Sequence, residues 1–305
     1  MADRVALVFP GQGSQRVGML DDVPGLDSMG RLLDAAEALS GFDLRSIARS
    51  GTPTELADTR VAQPLLFLCD WAWGVTILGS GVEPVAVAGH SLGELAALAV
   101  ADVFSPEAGL ELVVERSKYM AHAAVESPGT MSAILGLDAS TVADTIAGIE
   151  GVWLANDNSP GQVVISGTHE GVAEAASALA SAGARRVVPL SVSGPFHSPL
   201  MDDAAKSFGG LLSETAFRDA SYPVVSNSDP SFTVDAELIR SRLLLQITSP
   251  VRWTETMSAL VADGPVTLIE AGPGAVLTGL AKRVDGITAI AIETAGLEAV
   301  IKEAL

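Results

Sequence analysis

The chain has a single cysteine, Cys69, in 305 residues. That excludes an internal disulfide and a cysteine-based metal cluster, and it fits a reducing, cytoplasmic setting. Basic residues are scarce: 18 Lys plus Arg stand against 37 Asp plus Glu, a formal charge of −19. A nucleic-acid binder needs a basic face to displace counterions, so that class is set aside. Long apolar runs are also missing. Val5–Phe9 is shorter than the ~7–15-residue apolar core of a signal peptide. The most apolar stretch, Leu65 to Leu78, is interrupted by Asp70 and falls short of the ~20 residues of a membrane span, so it reads as a buried core helix. No His-Glu-x-x-His, Cys-x-x-Cys or EF-hand pattern occurs, so no metal site is expected. What the chain does have is 48% hydrophobic residues and 30 glycines, enough for a sizeable core. At ~150 residues per domain it makes one large domain or two smaller ones.

Short β-branched runs alternate with longer Ala/Leu-rich runs, the pattern of an α/β fold. Val5–Phe9 and Pro84–Ala88 read as buried strands, each running into a glycine loop, and Glu94–Val100 reads as a helix. Ser105, Pro106 and Glu107 form a helix start: an N-cap, a proline at the first position and an acid in the first turn. That helix should run to about Ala123, with Leu110, Val113, Val114 and Met120 on its apolar stripe and Arg116 on the flank. Between Glu126 and Leu190 the predicted order is β-α-β-β-α-β, with strands at 130–135, 152–155, 163–166 and 186–190 and helices at 140–147 and 171–182. This is the order of a ferredoxin-like unit. Residues 126–190 are therefore expected to form an inserted small subdomain, and residues 1–125 and 191–305 the large α/β part. Helices at 236–246, 253–262, 275–283 and 297–305 and a strand at 266–269 are expected in the remainder.

The segment Gly89, His90, Ser91, Leu92, Gly93 fits G-x-S-x-G between a buried strand and a helix. Such a turn lifts a serine hydroxyl clear of the sheet and sets the next amide, that of Leu92, where an oxyanion would form. Of the four histidines, His90 reads as a turn residue, and His122 and His169 read as surface or capping residues. His197 lies in a rigid Gly/Pro/Ser loop, where a base is expected, although the loop alone leaves its role open. No acid is marked out to complete a triad, so either a carbonyl orients the imidazole or the enzyme is not an ordinary hydrolase. The loop at 11–15 fails the dinucleotide and Walker patterns; it is either a plain strand-to-helix turn or a presenter of Gln12 and its amides. Gly272 to Gly274 fails the dinucleotide test too and reads as a structural turn.

Together these segments resemble the malonyl-CoA:acyl carrier protein transacylase family along most of the chain. The resemblance rests on FPGQGSQRVGM at 9–19, DTRVAQPLLF at 58–67, GHSLGE at 89–94, NSPGQVVISG at 158–167, GPFHSPLM at 194–201, QITSPVRW at 246–253 and GPGAVLTGLAKR at 272–283. It implies an α/β-hydrolase-like large domain holding a small ferredoxin-like subdomain. It also implies Ser91 as nucleophile, His197 as base, Gln12 and the Leu92 amide as oxyanion hole, and Arg116 as partner of the malonyl carboxylate. Gln246 would orient His197, its carbonyl standing in for the triad acid. Phe196 before the histidine and Leu92 after the serine both point to malonyl rather than methylmalonyl units. Ser117, where a glycine is usual, and Asp102, where a small residue is usual, depart from the pattern.

The implied reaction is ping-pong transfer from malonyl-CoA to the phosphopantetheine thiol of a holo acyl carrier protein, serving fatty acid synthesis and needing no cofactor of its own. The competing readings are a malonyl acyltransferase of polyketide synthesis, or a serine thioesterase or esterase using water. A cytoplasmic monomer, with neither nucleic acid nor membrane as partner, is expected. Carrier proteins are acidic, so docking on a chain of charge −19 calls for a local basic patch, with Arg185, Arg186, Lys282 and Arg283 as candidates.

Overall fold

The apolar VALVF run forms strand β1 (Val5–Phe9), buried at every position. A strand apolar throughout has to be covered on both faces. In the computed structural model, which describes residues 4–25 and 27–305, β1 is an inner strand of a six-stranded sheet. The other strands of that sheet are β2 (Ala86–Gly89), β7 (Val224–Val225), β8 (Phe232–Thr233), β9 (Val266–Glu270) and β10 (Ile287–Ala291). The order is β10-β9-β1-β2-β7-β8, parallel except for β8, which is antiparallel to β7. Side chains alternate across a strand. Val5, Leu7 and Phe9 therefore join Val87 in the larger core, among the helices Thr59–Gly79, Leu92–Val100 and Pro106–Glu126. Ala6 and Val8 join Ala86 and Ala88 against Trp253, Met257 and Leu260 on the other face.

The second sheet lies between Thr130 and Pro189 and comprises β3 (Thr130–Leu135), β4 (Val152–Ser159), β5 (Gln162–Gly167) and β6 (Arg186–Pro189). Its order is β4-β5-β3-β6 and every pairing is antiparallel. The helices Ala139–Ile146 and His169–Ser181 pack on it around Ile134, Val163, Ile165, Val172 and Leu179. Strand β4 runs four residues past the expected end at Ala155. Its second half leaves regular pairing at two register shifts and bonds to the large part of the chain. Asp157 N donates to Val251 O and Val251 N to Ala155 O, at 2.9 and 2.8 Å.

Other elements differ from the sequence reading. The core helix spans Thr59–Gly79, 21 residues, because Asp58 caps its first turn and Pro64 is accommodated inside it. It is long and apolar enough to cross a membrane by length and composition, but 78% of its most apolar window is buried inside the protein. The helix capped by Ser105 extends through Glu126. Strand β10 and the helix Ile292–Ala295 are additional to the expected elements, and the helix expected after the His197 loop is Asp202–Glu214.

The β2–helix junction crosses β1 closely. A Cβ on Gly93 would lie 2.0 Å from the Phe9 carbonyl oxygen and 2.7 Å from that of Pro10. Gly93→Ala is therefore expected to cost about 3 kcal/mol or more, the upper range for overpacking. Gly210, inside the helix Asp202–Glu214, faces open space among the described residues. Gly210→Ala should instead stabilise by ~0.5–1 kcal/mol. Urea unfolding midpoints of the two variants check the contrast.

Candidate active site

Strand β2 ends at Gly89 and the next helix begins at Leu92, leaving Ser91 at the apex of the turn with φ 51° and ψ −106°. A non-glycine residue with positive φ is strained and needs outside support. His90 N donates to Phe9 O at 2.9 Å on one side, and Glu94 N to Ser91 O at 3.1 Å on the other. The buried Asn227 side chain completes the brace: its Oδ1 accepts from Ser91 N at 2.7 Å and its Nδ2 donates to Gly89 O at 2.6 Å. His90 has the turn role read from sequence, with Nε2 2.8 Å from Asn158 Oδ1 and its ring edge-on to Trp253. Ser91 Oγ makes no capping bond to the helix, so it is free for other partners. The Leu92 N–H sits in the first turn of that helix, where amides have no intrahelical acceptor.

His197 is also held in the left-handed region, at φ 57°. Its Nε2 lies 2.7 Å from Ser91 Oγ, and its Nδ1 lies 3.0 Å from the main-chain oxygen of Gln246. The pair of contacts fits a neutral imidazole that donates from Nδ1 to the carbonyl and accepts the serine proton at Nε2. Gln246 ends the helix Ala236–Gln246, and terminal carbonyls lack an intrahelical donor. Burial pushes the His197 pKa down to about 3, helped by the Arg116 cation, so the ring is uncharged at neutral pH.

Arg116, expected on the flank of its helix's apolar stripe, is fully buried. Its Nη1 donates to Gln63 Oε1 at 2.8 Å; its Nη2 donates to Gln246 Oε1 at 2.9 Å and to Ser91 Oγ at 3.2 Å. No carboxylate among the described residues forms an ion pair with it. Burial lowers its pKa to about 10, against the opposing pull of Glu94. A desolvated guanidinium with neutral acceptors is suited to an anionic ligand. Gln12 Oε1 accepts from Thr59 Oγ1 at 2.8 Å, and Gln12, Phe196 and Met131 line a cleft of about 110 Å³ with Ser91 and His197.

The four basic residues singled out for docking are exposed and do not line this cleft. Two of them, Arg283 and Arg185, lie at the β4–β5 turn. Arg283 Nη1 reaches Pro160 O at 3.3 Å, and Arg185 packs against Gly136, whose N–H donates to Gly161 O. His122 and His169 are exposed. Ser117 is buried, its Oγ bonded to Val114 O, and Asp102 takes a left-handed φ of 60° with Ser221 Oγ on its carboxylate. Neither reaches the cleft. Cys69 is buried and its thiol is pushed up by burial, which disqualifies it as a nucleophile. Among the described residues no three His, Cys, Asp or Glu side chains gather as a metal site. Sequence reasoning gave no separate role to Gln63, Glu94, Asn158 or Asn227. For Gln63 and Glu94 there was a signal: polar residues inside otherwise apolar helices need a reason.

Comparison with known proteins agrees with this geometry. The model of the acyl transferase domain family matches residues 6–291. The chain is 43% identical over 280 residues to the malonyl CoA-acyl carrier protein transacylase of Synechocystis sp., covering 92% of this chain and 93% of that one. It is 41% identical over 293 residues to that of Escherichia coli K12, covering 94% and 95%. Among solved structures, a type II PKS acyl-carrier protein in complex with its malonyl-transacylase superposes with a TM-score of 0.92 at 39% identity, covering 98% of this chain and 99% of that one. FabD from Acinetobacter baumannii superposes with a TM-score of 0.91 at 36% identity, covering 100% and 99%. Matches of this extent mean that the chain belongs to the acyl transferase domain family, the family of the malonyl CoA-acyl carrier protein transacylases.

Proposed function

We propose that this protein is an acyl-carrier-protein S-malonyltransferase that moves the malonyl group from malonyl-CoA to the phosphopantetheine thiol of holo acyl carrier protein, for fatty acid synthesis. The observation that carries the reading is Arg116, a buried guanidinium with no carboxylate partner among the described residues, 3.2 Å from the hydroxyl that His197 addresses. An esterase has no use for a desolvated cation there; a free acid on the acyl group supplies the missing anion.

The residues act in two half-reactions. His197 Nε2 takes the Ser91 proton as Oγ bonds to the thioester carbonyl carbon. The Leu92 amide and the Gln12 side chain hold the resulting oxyanion, and Phe196 shapes the acyl pocket. Collapse breaks the C–S bond, and the imidazolium returns its proton to the departing CoA sulfur. The carrier thiol then gives its proton to His197 and attacks the malonyl-serine ester, and Ser91 leaves as the restored hydroxyl. Gln246 O accepts from Nδ1–H throughout, at the negative end of a helix that favours the transient imidazolium.

The finer architecture belongs to the same reading. Residues 1–125 and 191–305 form an α/β-hydrolase-like domain, supported by a serine turn between a parallel strand and a helix. Residues 126–190 form a ferredoxin-like subdomain, supported by its order β4-β5-β3-β6. A monomer is in keeping with a single chain that supplies all the proposed catalytic groups, and a cytoplasmic setting with a single buried cysteine, Cys69. Arg185, Arg186, Lys282 and Arg283 receive the acidic carrier. From Asn156 in the cleft to Pro160 at the turn is four residues, about 13 Å at ~3.3 Å each, so a carrier docked at the turn sits beside the cleft.

Intact-mass analysis after incubation with malonyl-CoA should show one malonyl adduct that clears on adding holo carrier protein. Ser91→Ala should show none, and clearance by water alone would make the protein a hydrolase. With the imidazole held at about 3, adduct formation should persist at pH 5, where a free histidine of pKa ~6.5 is protonated and cannot serve as base. Loss of acylation with a midpoint near 6.5 counts against this assignment of the base.

Arg116→Ala should depress malonyl transfer far more than acetyl transfer. Losing the partner of a buried carboxylate costs on the order of 2–5 kcal/mol, or roughly 30- to several-thousand-fold in rate. Equal loss with both thioesters would reduce Arg116 to a structural role. Reversing charge at Arg185 and Arg186, or at Lys282 and Arg283, should raise KM for carrier protein more than KM for malonyl-CoA, and in the parent moderate salt should weaken the carrier half-reaction more than acylation. An unchanged carrier KM in both double variants would move the docking surface elsewhere.

A further inference from the structure

Glu94 touches no reacting group, yet two of the groups that hold the reacting residues end on it. It is the sole ionisable residue of the helix Leu92–Val100 and is fully buried. Its Oε2 accepts from Gln246 Nε2 at 2.7 Å and from the main-chain N–H of Asn227 at 3.1 Å. Asn227 is the residue whose side chain braces Gly89 and Ser91. Gln246 Nε2 also donates to Ser91 O at 2.8 Å. With Nε2 held between two acceptors, the amide must turn its Oε1 outward, and Oε1 is what Arg116 Nη2 meets at 2.9 Å. A flipped amide would set its NH2 against the guanidinium, donor facing donor. The carboxylate thus fixes the amide, and the amide fixes the arginine.

The charge arrangement follows the same chain. A carboxylate in direct contact with Arg116 would occupy the fork that a substrate carboxylate needs. Without any anion nearby, the buried cation would lack support. A neutral amide between Glu94 and Arg116 supplies support and competes for the guanidinium donors less strongly than a carboxylate would, and Nε has no partner among the described residues.

We propose that Glu94, acting through the Gln246 side chain, is a positioning residue that holds the Arg116 guanidinium in place without neutralising it, and so sets the preference for acyl groups that end in a carboxylate. This rests on the reading of Arg116 as the acid-binding residue. Of the groups facing Arg116, Gln63, Gln246 and Ser91 are neutral and His197 is uncharged at working pH, which leaves Glu94: burial pushes its carboxyl pKa up, while the bonds from Gln246 and Asn227 and the Arg116 charge favour its anion. On its own helix, Glu115 and Lys118 pair with each other at 2.7 Å.

The test compares acylation by malonyl-CoA and acetyl-CoA in Glu94→Gln, Gln246→Ala and Arg116→Ala. Glu94→Gln keeps the side-chain shape and removes the charge. Its kcat/KM for malonyl-CoA should fall about 10- to 100-fold, the scale of a misplaced binding group, with a smaller loss for acetyl-CoA. The alkaline limb of its malonyl profile should move to lower pH than in the parent, because the guanidinium has lost its facing anion. Gln246→Ala retains the main-chain carbonyl under His197 and removes the amide bridge. It should show the same malonyl-selective loss, and it decides the matter if Glu94→Gln does not fold. Suppose Arg116→Ala loses malonyl transfer selectively while the other two keep the parent's malonyl-to-acetyl ratio. The proposal is then overturned and the acid-binding reading stands. If Arg116→Ala loses both thioesters equally, the acid-binding reading fails and the proposal fails with it.

Discussion

The strained backbone at Ser91 is the constraint on which the rest of the site depends. At φ 51° and ψ −106° the turn costs on the order of 1–3 kcal/mol, and it persists only because its surroundings over-determine it. Asn227 grips it from the end of β7, β1 takes the His90 amide, and Gly93 lets the following helix press against the carbonyls of Phe9 and Pro10. If the turn relaxed, Oγ would lose its 2.7 Å approach to His197 and its 3.2 Å approach to Arg116 together. The parallel sheet, the apolar helix and the buried asparagine are all means of holding one hydroxyl in place.

Two groups able to carry positive charge share that hydroxyl. Burial lowers both, but from different starting values, so His197 settles at about 3 and Arg116 at about 10. Between those limits one is a base and the other a cation. The guanidinium charge is itself a cause of the imidazole's neutrality. The site therefore needs no acid next to the histidine. A carboxylate there would raise the imidazole and weaken its separation from the arginine.

What the sequence revealed was local chemistry. A glycine-flanked serine between a buried run and a helix, and a histidine in a Gly/Pro loop, carry their meaning within a few residues. The long-range partners do not. Asn227 serves a serine 136 positions away, and Gln63 serves an arginine 53 positions away, so no spacing pattern announces either. The helical spacing places Arg116 on the flank of the apolar stripe but does not say what it meets. Its burial depends on acceptors from two other helices that only the fold assembles. Strand β4 looked short because Asn156 to Ser159 are polar, and that stretch stays paired with β5 through two register shifts while bonding to Val251 on its other side. Strand β10 is a partly exposed edge, where burial leaves a weak pattern.

The orienting acceptor under His197 is a main-chain oxygen, Gln246 O, 3.0 Å from Nδ1. In hereditary terms it is an unusual part. A triad acid is written in a single codon and lost by a single missense change, whereas a carbonyl is supplied by every amino acid that position 246 could encode. Evolution cannot delete it without unwinding the helix that ends there. The codon at 246 is left under selection for the other end of the residue, the amide that meets Arg116 and Glu94. One position thus carries two duties, of which only one is exposed to substitution.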